Sequence, residues 1–150
     1  MHKIRKMTEH DKKRVIEIIK RTGVFSKKEI KIGEELIDTF INDSKQTDYI
    51  IYVSEFNNKV SGYVCFGPTP CTEDTFDLYW IAVDPVFYGK GVGSQLLSLA
   101  EKKIKSLGGR MIIIETSSTE KYRNTRKFYL SKKYKLSAII KDFYRKNDHK

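Results

Sequence analysis

Val83-Asp84-Pro85-Val86-Phe87-Tyr88-Gly89-Lys90-Gly91-Val92-Gly93-Ser94-Gln95-Leu96-Leu97 is the stretch on which the fold turns. Before it, Thr75 to Val83 is dense in β-branched and aromatic residues and reads as a strand. After it, Val92, Leu96, Leu99, Ala100, Ile104 and Leu107 recur at helical spacing, and Gly108-Gly109 closes that helix. The glycines therefore occupy a strand-to-helix turn. Gly89, Gly91 and Gly93 can take positive φ and let successive N–H groups converge, while the helix N-terminus adds unpaired donors and a positive dipole end. Tyr88 through Ser94 reads as a phosphate cradle. Two other glycine loops do not fit. Lys90 is followed by Gly91 rather than by the Ser or Thr of a Walker A loop, and a G-x-G-x-x-G begun at Gly91 would need glycine where Leu96 stands.

Working outward, Arg110 to Thr116 holds the apolar run Met111-Ile112-Ile113-Ile114, expected to be a strand buried on both faces and parallel to the one before the turn. Upstream, Tyr49–Ser54 and Val60–Phe66 flank Asn57-Asn58 and predict an antiparallel hairpin, after which Gly67-Pro68-Thr69-Pro70 breaks the sheet. Lys3 to Met7 is a short first strand. Thr8 with Asp11, and Ser26-Lys27-Lys28-Glu29 more fully, are capping patterns opening two amphipathic helices. Strict alternation along Thr75–Val83 puts Asp77, Tyr79, Ile81 and Val83 on one face and Leu78, Trp80 and Ala82 on the other. Downstream, Glu120 to Lys132 is the last helix, and Lys133 onward leads into a strand running to about Ile140. The prediction is an α/β protein with one domain over residues 1–150, a mixed, strongly twisted sheet and helices on both faces.

Composition bounds the function. The chain has 150 residues, 39% hydrophobic and 32% charged, and no run near the ~20 apolar residues of a membrane span. No apolar segment of a signal peptide follows the basic start, so a cytoplasmic protein without a membrane partner is expected. Lys and Arg outnumber acids 29 to 19, a net +10. The basic residues are spread from Lys3 to Lys150 without a dense block or a nucleic-acid-binding motif, so no nucleic-acid partner is expected, although a basic nucleic-acid-binding module remains an alternative. Cys65 and Cys71 show no metal or disulfide spacing, and His2, His10 and His149 read as surface residues, so no metal is expected.

The turn resembles the signature of the GNAT superfamily of N-acetyltransferases, Q/R-x-x-G-x-G/A after an "AVDP"-like corner. Here the chain reads Ile81-Ala82-Val83-Asp84-Pro85, then Tyr88-Gly89-Lys90-Gly91-Val92-Gly93, with Tyr88 in place of Gln or Arg. A later family motif, N-x-x-A-x-x-F-Y-x-x-x-G-F/Y, aligns with Tyr122, Thr125, Phe128, Tyr129, Lys133 and Tyr134, of which Tyr122, Thr125 and Lys133 depart. The resemblance implies acetyl-CoA as cosubstrate, its pyrophosphate on Tyr88, Gly89, Lys90, Gly91, Val92, Gly93 and Ser94, and its pantetheine arm beside Ile81, Ala82 and Val83. It implies Tyr129 as the acid that protonates the leaving thiolate. Asp77, the acid on the strand before the corner, is the expected base, with Glu115 or water as alternatives.

The acceptor would be an amine on a small molecule or a protein. A GNAT-like regulatory domain that binds acyl-CoA without turnover is the other alternative. The resembling fold closes with a C-terminal hairpin, but beyond Ile140 no apolar strand follows. The closing strand is then missing or supplied by a neighbour, and an unpaired edge favours a homodimer.

Overall fold

The computed structural model describes residues 3–150, so His2 lies outside the described residues. The chain folds as two compact units, one ending at Ile113 and one spanning Ile114–Lys150.

The first unit is a mixed sheet with helices on both faces. Its strands are β1 (Lys3–Lys6), β2 (Ile50–Phe56), β3 (Lys59–Pro68), β4 (Thr75–Val83) and β5 (Met111–Ile113), arranged in that order. All neighbours are antiparallel except β4 and β5, which are parallel. Asn57 and Asn58 carry the β2–β3 hairpin with φ of 48° and 59°, the mirror-image turn that matches strand twist. β3 continues through Gly67 to Pro68, two residues beyond the expected break. At Gly67 only glycine is possible, because a Cβ there would lie 1.7 Å from the Asp48 carbonyl oxygen.

α1 (Lys12–Arg21) and α2 (Lys27–Asn42) cover one face. Val15, Ile18 and Ile19 of α1 and Ile37 of α2 pack with Ile51, Val53, Val60, Tyr63, Cys65 and Ala82. Each fully buried aliphatic side chain contributes about 1.5–3 kcal/mol. The Tyr63 hydroxyl is buried there with no hydrogen-bond partner among the described residues. α3 (Val92–Ser106) covers the opposite face with Val92, Leu96, Leu97, Ala100 and Ile104.

The strict alternation expected along β4 fails at one residue. Cys65 pairs with Trp80 but Phe66 pairs with Leu78, so Tyr79 is an extra residue, a β-bulge. The bulge turns Ile81 and Val83 toward α3, where Val83 and Leu96 close around Gly62, and leaves Asp77 on the same face as Trp80 and Ala82. β5 also departs from expectation. It is three residues long and pairs only with Thr75–Asp77, and Met111 and Ile113 are exposed rather than buried on both faces.

The second unit contains a 3₁₀ turn at Glu120–Tyr122, α4 (Arg123–Ser131) and a long return. The strand expected from Lys133 to Ile140 does not form. Lys133 turns the chain at φ 69°, and Leu136, Ile139 and Ile140 are exposed. The last residues fold back instead. Ile140 and Lys150 exchange backbone hydrogen bonds of 2.8 and 2.9 Å, Ser118 N–H donates to the His149 carbonyl, and the Ser117 hydroxyl donates to buried Asp148 at 2.5 Å. No strand follows α4 among the described residues.

Candidate functional site

The glycine turn is an open helix end. Gly89 and Gly91 have φ of 74° and 79°, and a Cβ at either would meet nothing within 4 Å, so both positions face free space. Gly93, expected to share that conformation, lies inside α3 with helical backbone, because the helix already starts at Val92. Gly91 is the N-cap and supplies no side-chain acceptor. The first hydrogen bond of the helix is Gln95 N–H to the Gly91 carbonyl at 3.0 Å. The N–H groups of Gly91, Val92, Gly93 and Ser94 therefore have no partner among the described residues, and neither has that of Gly89. Those of Tyr88 and Lys90 are spent within the turn, on the carbonyls of Pro85 and Phe87. Five donors at the positive end of a helix dipole suit an anionic oxygen cluster.

The strand leading into this turn has spare backbone as well. Pairing of β4 with β5 ends at Asp77↔Ile113, so Leu78–Val83, including Ile81, Ala82 and Val83, run on without a β5 partner. An extended ligand could add itself along such an edge. Asp84, at the end of the strand, is fully buried and pairs with Arg14 and with Arg21. Sequence reasoning assigned it no role, although an Asp directly before Pro is an expected turn cap, and here its Oδ1 does accept from Val86 N–H.

Asp77 is partly buried, and its Oδ2 accepts a hydrogen bond from the Thr69 hydroxyl at 2.7 Å. Beside it, the rings of Tyr49 and Tyr79 meet edge to face at 5.6 Å. Burial, and after it the negative charge of Asp77, pushes the Tyr79 phenol up to about 12. A free carboxylate oxygen and a neutral phenol thus stand together on the α1–α2 face of the sheet. Phe25 packs on Trp80 nearby in the fold, at 4.5 Å between centroids.

In the second unit, Tyr129 is buried between Phe128 and Tyr134, with ring centroids 5.2 and 5.9 Å away. Burial raises its phenol well above the usual value, with the nearby Tyr134 adding to this, so the hydroxyl keeps its proton through the neutral range. Glu115 is held by Lys150 Nζ at 2.5 Å, so its carboxylate is already engaged. His10 is exposed, His149 accepts the Asp142 N–H through Nδ1, and both cysteines are free, Cys65 buried and Cys71 exposed. No group of metal-ligand residues occurs among the described residues, and no described helix is long and apolar enough to cross a membrane.

Comparison with known proteins agrees with the geometry. The model of the acetyltransferase (GNAT) family matches residues 14–131. A solved GNAT-family structure from Desulfovibrio desulfuricans is 34% identical, covers 99% of this chain and 94% of its own, and superposes with a TM-score of 0.92. The ribosomal-protein-S18-alanine N-acetyltransferase of Escherichia coli shares the fold at 19% identity and a TM-score of 0.76, over 99% of this chain and 90% of its own. The PaiA N-acetyltransferase of Thermoplasma acidophilum, solved with coenzyme A, shares it at 17% identity and 0.71, over 99% and 96%. A comparison with curated proteins gives no match.

Proposed function

The chain belongs to the GNAT acetyltransferase family, and from that premise we propose that it moves the acetyl group of acetyl-CoA to a primary amine by direct attack. The observation that carries the cosubstrate is the uncapped start of α3, where the N–H groups of Gly89, Gly91, Val92, Gly93 and Ser94 are unspent and two positive-φ glycines leave room for phosphate. Ile81, Ala82 and Val83, continuing past the last β5 pair, offer backbone to the pantetheine arm. The thioester is already activated, so the chemistry asks only for alignment and proton transfer.

An alkyl ammonium with a pKa of about 10.4 cannot attack until it loses a proton. Asp77 takes that proton, directly or through water, because one of its oxygens is left open by the Thr69 hydrogen bond. Tyr129 returns a proton to the departing thiolate, and burial keeps its phenol protonated over the working range. Glu115 is the runner-up for this role, its carboxylate being engaged by Lys150. The acceptor in this reading is an amine on a small molecule or a protein; solved structures of the same fold bear aminoglycoside-acetyltransferase and ribosomal-protein-alanine N-acetyltransferase names.

The test is release of CoA from acetyl-CoA across a panel of amines, alongside CoA binding by calorimetry. Binding with acceptor-dependent release supports the proposal. Tight binding with no release from any amine identifies a non-catalytic acyl-CoA sensor, and a thermal shift with DNA or RNA but none with CoA identifies a nucleic-acid module.

A further inference from the structure

The fully buried carboxylate of Asp84 is approached from two directions. On one side it fixes the turn that enters the glycines: Oδ1 accepts Val86 N–H at 3.2 Å, and the backbone carbonyl accepts Phe87 N–H at 2.8 Å. On the other, Oδ2 meets the guanidinium of Arg14 and, at 3.2 Å, that of Arg21, both from α1. Arg14 is itself held, by the Val60 carbonyl at 3.2 Å and by Glu17 at 3.0 Å. The Asp84 N–H donates to the Ser61 carbonyl at 2.8 Å, and Ser61 is the extra residue where the β2–β3 register shifts. A buried carboxylate needs such partners, and losing one leaves the charge uncompensated.

We propose that Arg14 and Arg21 are positioning residues for the phosphates of acetyl-CoA, acting through Asp84 to hold the Pro85–Phe87 turn and so the direction of the free N–H groups of Gly89 and of Gly91 to Ser94. The inference rests on the acetyl-CoA reading above. Donors at a helix start act only over its first turn, and hydrogen bonds weaken steeply with misalignment. A small tilt of this turn is therefore expressed in cosubstrate affinity and not in the rate of the chemical step.

The experiment measures CoA affinity by calorimetry, kcat and KM for acetyl-CoA, and Tm in the wild type, Arg21→Gln, Asp84→Asn and the double variant. Ile18→Val, in the core face of α1, serves as a destabilised control. Arg21→Gln should weaken CoA about three- to tenfold and Asp84→Asn at least about tenfold, with kcat held within about twofold. The double variant should bind no more weakly than Asp84→Asn alone, because Arg21 works through that carboxylate. Arg21→Lys should recover part of the loss, and Ile18→Val should lower Tm and leave affinity intact.

Unchanged affinity in folded Arg21→Gln, or additive losses in the double variant, would overturn the proposal. So would an Ile18→Val protein that loses affinity in step with its Tm. If Asp84→Asn does not fold, the Arg21 series decides alone. A wild type that binds no CoA sinks the cosubstrate reading and this inference with it, whereas a wild type and an Arg21→Gln variant that bind CoA equally sink only this inference.

Discussion

The starts of α2 and α3 solve the same problem in opposite ways. At α2 the Ser26 side chain accepts from Glu29 N–H at 3.2 Å and Glu29 returns the bond to Ser26 N–H at 2.6 Å, so two orphan donors are satisfied inside the chain. At α3 a glycine in the left-handed region takes the cap position, no side chain is in reach, and four consecutive N–H groups stay open. The first start spends its donors inside the chain. The second gives up only about a few tenths of a kcal/mol of capping stability, glycine being a tolerable cap, and leaves its donors open at the positive end of the helix.

Variants can break this contrast or sharpen it. The largest effect is expected away from both helix starts, in Tyr129→Phe, which keeps the ring and removes the donor. Turnover should fall about ten- to a thousandfold with CoA affinity unchanged, which separates chemistry from binding. Equal turnover under conditions where chemistry limits the rate would make Tyr129 a packing residue. Because burial raises this phenol, wild-type activity should not lose its acid form as pH approaches 10, the usual tyrosine value; a pH–rate profile with a descending limb at about 9 would contradict the assignment.

Next comes Gly91→Asp, which puts a carboxylate at the open end. It should cost CoA about a hundredfold in affinity, or about 2.7 kcal/mol, while folding changes by only about 1 kcal/mol, since the new side chain meets free space. Unaltered calorimetric affinity would show the cradle to be elsewhere. Asp77→Asn should lower turnover about tenfold at low pH and progressively less as pH rises, because more of the acceptor amine is then already neutral. A uniform loss across pH would point to a role in binding the acceptor. The smallest effect belongs to Ser26→Ala, about 1 kcal/mol off stability in a denaturant titration with CoA binding untouched.

Local chemistry made most elements and the uncapped start of α3 legible. Ser26 and Glu29 form the capping box that their spacing predicted, Asn57-Asn58 makes the hairpin, and α3 begins within the glycine run as its apolar spacing required. What escaped was non-local. Nothing in Leu78-Tyr79-Trp80 announces a bulge, since the inserted residue is defined by what stands opposite it on β3. Asp84 looked like part of a turn because Arg14 and Arg21 lie some 60–70 positions earlier in the chain. The strand expected after α4 does not form either: Leu136-Ser137-Ala138-Ile139-Ile140 has strand-like composition, but a strand needs a ladder partner and none is assigned to these residues. Lys133 is a reversed case. It stands where the family motif has glycine, and its φ of 69° shows the backbone demand that the glycine answers, met here by a lysine at about 1–2 kcal/mol of strain.

The unpartnered phenol of Tyr63 has a consequence for the stability of the α1–α2 core. A buried hydroxyl that bonds to nothing forfeits its hydration and recovers none of it, so the position is occupied by a residue worse for stability than its closest apolar relative. Tyr63→Phe, which keeps the ring and removes the unpaired hydroxyl, should therefore leave the α1–α2 core at least as stable as before.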